Sequence, residues 1–445
     1  MRDAMWWHVY PLGFVGAERR ADAVGGATRH RLAHIEGWLD HLLRLGASGL
    51  ALGPIFRSET HGYDTVDHFT IDPRLGDDAD VDRLFATARA RGIRVMLDGV
   101  FHHVGRSHPA FTAVLEHGPS APTASWFRLR WPQGAGEWRP GVEPDYDDFE
   151  GHRHLVALDH SEPAVVDHVV DVMCHWLERG ASGWRLDAAY AVPTEFWAQV
   201  ADRVRARHVD VYLMGEVIHG DYAGFVQEGR LDAVTQYELW KAVWSSLNDA
   251  NMHELAHALG RHREMLETFV PYTFVGNHDV TRIASRLDDP RHLVHSVVLL
   301  ATLPGTPSVY AGDEHGFVGI KEDRAGGDDA VRPVFPDRPA DLAAAGLPLF
   351  HRHQELLSVR RRHAWLHAAD VRVESVTNDT LVYSCTREAE RIVVALSVSP
   401  DGVELRAPGA HAVIAGTGHL RPAGAGGALV ALPPHGWSVL SARPA

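Results

Sequence analysis

Cysteine is almost absent from this chain. Of 445 residues only Cys174 and Cys385 are thiols, and they lie far apart. That excludes a disulfide framework and a cysteine-rich metal site, so folding does not depend on an oxidising compartment. Lysine is as scarce, with Lys241 and Lys321 alone, although arginine is abundant. The bias reads as codon usage and carries no function. Basic charge is in deficit: 43 Lys and Arg stand against 58 Asp and Glu, a net charge of −15. A nucleic-acid or anionic-membrane partner would need the opposite balance. No apolar run approaches the ~18 residues of a membrane span. The opening MRDAMWWHVYPLGF has no apolar core of about 7–15 residues and no small-residue cleavage site, so no secretion signal is expected. These absences describe a cytoplasmic protein. The chain also has no G-x-x-x-x-G-K phosphate loop and no G-x-S-x-G nucleophile elbow. FHHVGRSH (101–108) is rich in histidine, but adjacent side chains on a strand face opposite ways, and no metal is expected there.

What is present is a large supply of apolar residues, 45% of the chain. With this length, that suits one large domain and a smaller one. Short apolar runs alternate with longer amphipathic segments. Strands are expected at WWHVYPLGF (6–14), GLALGPIF (49–56), IRVMLDGVFHH (93–103), GWRLDAAY (183–190), VYLMGEVI (211–218), LDAVTQYEL (231–239), TFVGNHD (273–279) and TPSVYAGDE (306–314). Helical spacing marks residues 31–46, 77–92, 161–180, 193–207 and 348–363, with Ser161 as an N-cap. Strands alternating with helices imply a parallel sheet, and eight pairs close a (β/α)8 TIM barrel. The barrel is expected over 1–103 and 158–365. A subdomain with no evident helix is inserted at 104–157, after the third strand. From 366 to 445 the alternation is period two, which predicts an antiparallel β-sandwich. DRAGGDDA (323–330) reads as a loop after strand eight.

The catalytic end of a barrel is the C-terminal end of its strands, and polar residues gather there. Asp98, His102 and His103 close strand three, Arg185 and Asp187 strand four, Glu216 strand five, and Asn277, His278 and Asp279 strand seven. Tyr63 and Asp64 follow strand two. Residues two apart on a strand project to one side, so Arg185 and Asp187 emerge together from an otherwise apolar strand. Carboxylates acting in pairs, beside flat aromatic side chains, are what glycosidic-bond chemistry requires.

These segments resemble the α-amylase family of glycoside hydrolases. DGVFHH (98–103), GWRLDAAY, GEV (215–217), FVGNHD (274–279), GTPSVYAGDE (305–314) and GYDTVDHF (62–69) match its motifs in order. The resemblance implies Asp187 as nucleophile, Glu216 as general acid/base and Asp279 as transition-state stabiliser of a retaining reaction. It implies Tyr63 as a stacking platform, His103 and His278 as partners of sugar hydroxyls, and Asp98 as a support or a partner of Arg185. Arg185 is expected to keep Asp187 ionised, and Glu216, behind the apolar run VYLM, to have a raised pKa. His102 stands where the family has a calcium-binding Asn. Imidazole suits that ion poorly, so neither calcium nor any other cofactor is expected. GEVIHGDY with LDAVTQYELW is most similar to the cyclomaltodextrinase, neopullulanase and maltogenic amylase group, without that group's N-terminal module because strand one begins by residue 6. The implied partner is a short or cyclic malto-oligosaccharide, and a homodimer is compatible with the group. A transglycosylase or isomerase acting on trehalose or sucrose would share the same triad, and an inactive sugar-binding homologue is the remaining reading.

Two substitutions separate the implied roles. Asp187→Asn abolishes turnover while the far-UV circular dichroism stays that of the parent. Glu216→Gln loses far less activity on substrates with good leaving groups than on natural glucans, because acid assistance matters less for them. Equal losses on both would contradict the acid role.

Overall fold

Eight short strands form the centre of a computed structural model that describes residues 4–132, 138–324, 326–423 and 427–443. They are β1 (Trp6–Val9), β2 (Gly49–Leu52), β3 (Arg94–Gly99), β4 (Gly183–Leu186), β5 (Tyr212–Gly215), β6 (Ala233–Val234), β7 (Tyr272–Phe274) and β8 (Thr306–Tyr310). They pair in parallel in the order β6-β5-β4-β3-β2-β1-β8-β7. An isolated parallel bridge between Thr235 and Tyr272 joins the two ends. The result is the expected (β/α)8 barrel. Its wall packs against helices through large side chains, with Trp7, Trp38, Trp176, Trp184 and Trp197 wholly buried, while Trp6 lies inside the barrel against Tyr212. Among the described residues, no helix is long and apolar enough to cross a membrane. The expected loop at 323–330 includes Ala325, and the insertion includes residues 133–137; these lie outside the described residues.

The strands are shorter than the apolar runs that announced them, for local reasons. β1 stops at Val9 because Pro11, without an N–H, starts a one-turn helix, Pro11–Phe14. LDAVTQYEL is only two residues of strand. From Tyr237 the chain is helical to Asn248, because the Gln236 side chain accepts the Leu239 N–H as a cap and Leu239, Ala242, Val243 and Leu247 share a buried stripe. Pro163–Arg179 is capped by Glu162, whose side chain accepts the Ala164 N–H; the expected cap, Ser161, lies one residue upstream.

The insertion contains a helix, Pro109–His117, that sequence reading missed. Its Phe111 packs on Phe127 and Tyr146, and the insertion also holds antiparallel strands His103–Gly105, His152–Ala157 and Asp148–Phe149. The C-terminal region forms a five-stranded and a three-stranded antiparallel sheet. Val382, Val393 and Leu440 of the larger face Val430 and Leu432 of the smaller across a dry core, as in a sandwich.

One arm of the barrel mouth depends on a buried cation. Strands Phe56–Ser58 and Thr65–Ile71 form a two-stranded arm that carries Tyr63. Below it Arg74, fully buried, donates to both carboxylate oxygens of Asp72, to Ser58, and to the carbonyls of Glu18, Arg19 and Thr60. Removing one partner of a buried pair leaves the other uncompensated. Arg74→Met therefore destabilises the protein by about 3–5 kcal/mol in denaturant unfolding. A loss within experimental error would show that the arm is held elsewhere.

Candidate active site

Backbone pairing carries the key carboxylates just past the strands. The Asp187 N–H donates to the Gly99 carbonyl at 3.0 Å and the Glu216 N–H to the Leu186 carbonyl at 2.9 Å. Ala188 then takes a left-handed φ of 44°, which turns the chain immediately after Asp187.

Arg185 is the hub. In register its Cα lies opposite Asp98 of β3 and Met214 of β5. Nη1 donates to Asp98 at 2.6 and 2.7 Å and to Asp187 at 3.1 Å. Nη2 lies 2.9 Å from Glu216 and 4.0 Å from Asp279. Arg185 is thus not the private counter-ion of Asp187, and Asp187 holds the longest of its three close contacts. Burial pushes the Asp187 carboxyl well above the usual range; Arg185 opposes this, but Glu216, Asp98 and Asp279 reinforce it. The expectation of a carboxylate simply held ionised by Arg185 is corrected: one guanidinium is divided among several anions. Burial raises Asp98 as well, against the same Arg185.

Glu216 sits among donors, whereas the sequence suggested apolar surroundings. Besides Arg185, its Oε2 accepts the Ala188 N–H at 3.0 Å and its Oε1 the Tyr237 hydroxyl at 3.2 Å. Tyr237 in turn accepts from Asn277 Nδ2 at 2.9 Å. Asp279 is the opposite of Asp187. Against the penalty of burial, His278, Arg332 and Arg185 hold it well below the usual carboxylate range. Arg332 Nη2 donates to Asp279 Oδ1 at 2.8 Å while its Nε donates to the His278 carbonyl at 3.0 Å.

The aromatic residues line one side. The Tyr63 ring lies parallel to His278, with centroids 5.5 Å apart, and its hydroxyl donates to Asp98 at 3.1 Å. His278 Nε2 contacts both that hydroxyl and, at 2.9 Å, Asp279. His103 is buried, its Nε2 donating to the Tyr63 carbonyl at 2.9 Å and its Nδ1 facing His102. In this position it steadies the Tyr63 backbone, and both its nitrogens are occupied by protein. The insertion reaches over the site: the Tyr190 hydroxyl donates to Glu150 at 2.9 Å. A cleft of about 580 Å³ opens beside it, lined by His102, Arg130, Tyr146, Arg153 and Pro193 among others.

All eight predicted residues therefore converge on one region. Sequence reading missed Arg332, Tyr237 and Tyr10, whose ring stacks on His278 at 5.8 Å and lies under the Arg332 guanidinium. Arg332 follows the expected loop at 323–330 and has no motif around it. Tyr237 was hidden by misreading its segment as strand; the helical spacing after it was the available signal.

The sequence pattern described as the catalytic domain of alpha amylase matches residues 9–369. Cyclomaltodextrinase of Geobacillus thermopakistaniensis is 29% identical over 98% of this chain and 76% of its own length. A Bacillus cyclomaltodextrinase is 30% identical over 90% and 73%. Among solved structures, cyclic alpha-maltosyl-(1→6)-maltose hydrolase from Arthrobacter globiformis superposes with a TM-score of 0.81 at 25% identity, covering 99% of both chains.

The division of Arg185 has a measurable consequence. Asp98→Asn removes a like charge from Asp187 and releases more of the guanidinium to it, so both effects lower the pH at which Asp187 ionises. In a ¹³C-carboxyl NMR titration the Asp187 midpoint falls relative to the parent; an unchanged or raised midpoint would contradict the shared-cation arrangement.

Proposed function

The chain belongs to the α-amylase family of glycoside hydrolases, and from that membership we propose that it hydrolyses α-glucosidic bonds of short linear, branched or cyclic malto-oligosaccharides with retention of configuration. The observation that carries this reading is the gathering of Asp187, Glu216 and Asp279 around Arg185 at the C-terminal mouth of the barrel. Two carboxyls on one guanidinium stand near each other, which supports a retaining reaction, whose two carboxyl groups lie only ~5–5.5 Å apart.

In the first step Glu216 gives its proton to the glycosidic oxygen as the C1–O bond breaks, and an Asp187 oxygen bonds to C1. In the second, water attacks C1, its proton passes to Glu216, and the C1–Asp187 bond breaks. Protonated Glu216 is neutral, so Asp187 loses one of the neighbours that raise its pKa, which favours its anion in the reacting complex. Asp279, anionic throughout, presents with His278 and Tyr63 a polar edge to the sugar hydroxyls. Tyr237, supported by Asn277, orients Glu216. Asp98 and His103 act through Arg185 and Tyr63.

Calcium forms no part of this reading. The His102 ring offers nitrogen, and nearby Asp145, Asp147 and Asp148 are already paired with Arg130 and Arg153. That donor set fits an oxygen-seeking ion poorly. A cytoplasmic location is supported by two free, buried cysteines. A small ring as substrate is supported by the Arthrobacter hydrolase, named for a cyclic tetrasaccharide made of two maltosyl units, which matches this chain end to end.

Incubation with maltotriose, β-cyclodextrin and cyclic maltosyl-maltose, followed by ¹H NMR, tests the proposal. New reducing ends appear first as α-anomers. Disaccharide isomers formed without reducing-end release would replace hydrolysis by isomerisation, and β-anomers first would exclude retention.

A further inference from the structure

Two of the motifs singled out in the sequence, GYDTVDHF and FHHVGRSH, contain histidines that the active site does not use. The fold brings them together. His68 lies on the arm strand Thr65–Ile71, His108 caps the insertion's helix Pro109–His117, and His168 lies on the barrel helix Pro163–Arg179. Each offers one ring nitrogen within 4.8 Å of the other two.

We propose that His68, His108 and His168 bind one zinc-class divalent ion that ties the insertion to the barrel. His68 and His168 are well prepared for this. His68 Nε2 donates to the Val100 carbonyl at 3.0 Å, so its Nδ1 keeps a lone pair. A ligating histidine is commonly oriented by such a bond from its other nitrogen to a backbone carbonyl. That Nδ1 is 3.4 Å from His168 Nε2. Two nitrogens bound at ~2.0–2.1 Å to one tetrahedral ion stand about 3.3–3.4 Å apart.

The rings do not stack. Their planes cross at 58°, 71° and 87°, with centroids 5.4 to 6.1 Å apart. Three edges splayed about one point suit three ligands better than packing against each other. Burial holds the rings far below the ordinary histidine range, at about 4 for His68 and about 3 for His108 and His168. All three are therefore neutral at physiological pH, the state a metal ligand needs. Trp126 and Phe69 wall the cluster from the His168 side.

Three neutral imidazoles without a carboxylate select zinc, cobalt, nickel or copper over calcium or magnesium. His108 must change most. Its Nδ1 accepts the Ala110 N–H at 3.2 Å, so the proton sits on Nε2. Ligation by Nε2 moves that proton to Nδ1 and gives up one helix-cap hydrogen bond. His108→Asn is therefore the informative variant: asparagine is a good helix cap but removes the third imidazole.

The test compares chelator-stripped, dialysed parent protein with His108→Asn and His168→Gln, using cobalt(II) and zinc(II) chloride alone. The parent binds one equivalent more than either variant. Cobalt gives the intense visible absorption of a tetrahedral site, zinc displaces it, and zinc raises the parent's thermal midpoint but neither variant's. Equal stoichiometry in parent and variants, or a weak octahedral cobalt spectrum, would overturn the proposal, because the ion would then be bound elsewhere or not by three imidazoles.

Discussion

Arg185 donates to Asp98 and Asp187 and pairs with Glu216 from two nitrogens of one guanidinium, and it does so at the mouth of a barrel where none of the four is more than 8% exposed. Burying this many charges is costly unless each finds a partner. The partner must also sit where several strands meet, since no single strand can supply every anion. The parallel register of β3, β4 and β5 sets Arg185 beside Asp98, and the two backbone bonds beyond the strand ends bring Asp187 and Glu216 to the same cation. The positions of the functional groups thus follow from barrel pairing. The loops complete the site; they do not create it.

Four carboxylates face two guanidiniums, Arg185 and Arg332. Burial first, and then the neighbouring anions, push Asp187 and Asp98 to retain protons that isolated carboxyls would lose. The fold distributes the strain unequally. Asp279 receives Arg332 and His278 and is held far below the usual range, while Asp187 shares Arg185 and is pushed upward. Groups of one chemical type are thereby shifted in opposite directions, and the difference comes from who else holds each donor.

The barrel and its candidate site residues were legible because their signals are local. Short apolar runs, each ending in a charge, mark strand termini, and the spacing of Arg185 and Asp187 already put two charges on one side. What stayed hidden depends on contacts between distant segments. Arg332 reaches Asp279 across 53 positions. The helix Pro109–His117 lies in a segment whose Gly, Pro and Trp content masked a short amphipathic stretch. The sharing of Arg185 could not be read either, since a sequence shows which charges are present but not how many compete for one of them. The histidine cluster is the same case: spacing along a single strand argued against a metal, and only the meeting of an arm, an insertion and a helix gives the three rings a common centre.

The barrel ring is not equally strong around its circumference. β4 and β5 pair over four residues, β5 and β6 over two, and β6 meets β7 through a single bridge at Thr235 and Tyr272. Other bonds reinforce that joint. The Gln236 N–H donates to the Tyr272 carbonyl at 2.9 Å, and Asn277, beyond β7, donates to the Tyr237 hydroxyl that holds Glu216. Where strand pairing is thinnest, the side-chain bonds that help close the hoop are thus the same ones that position Glu216.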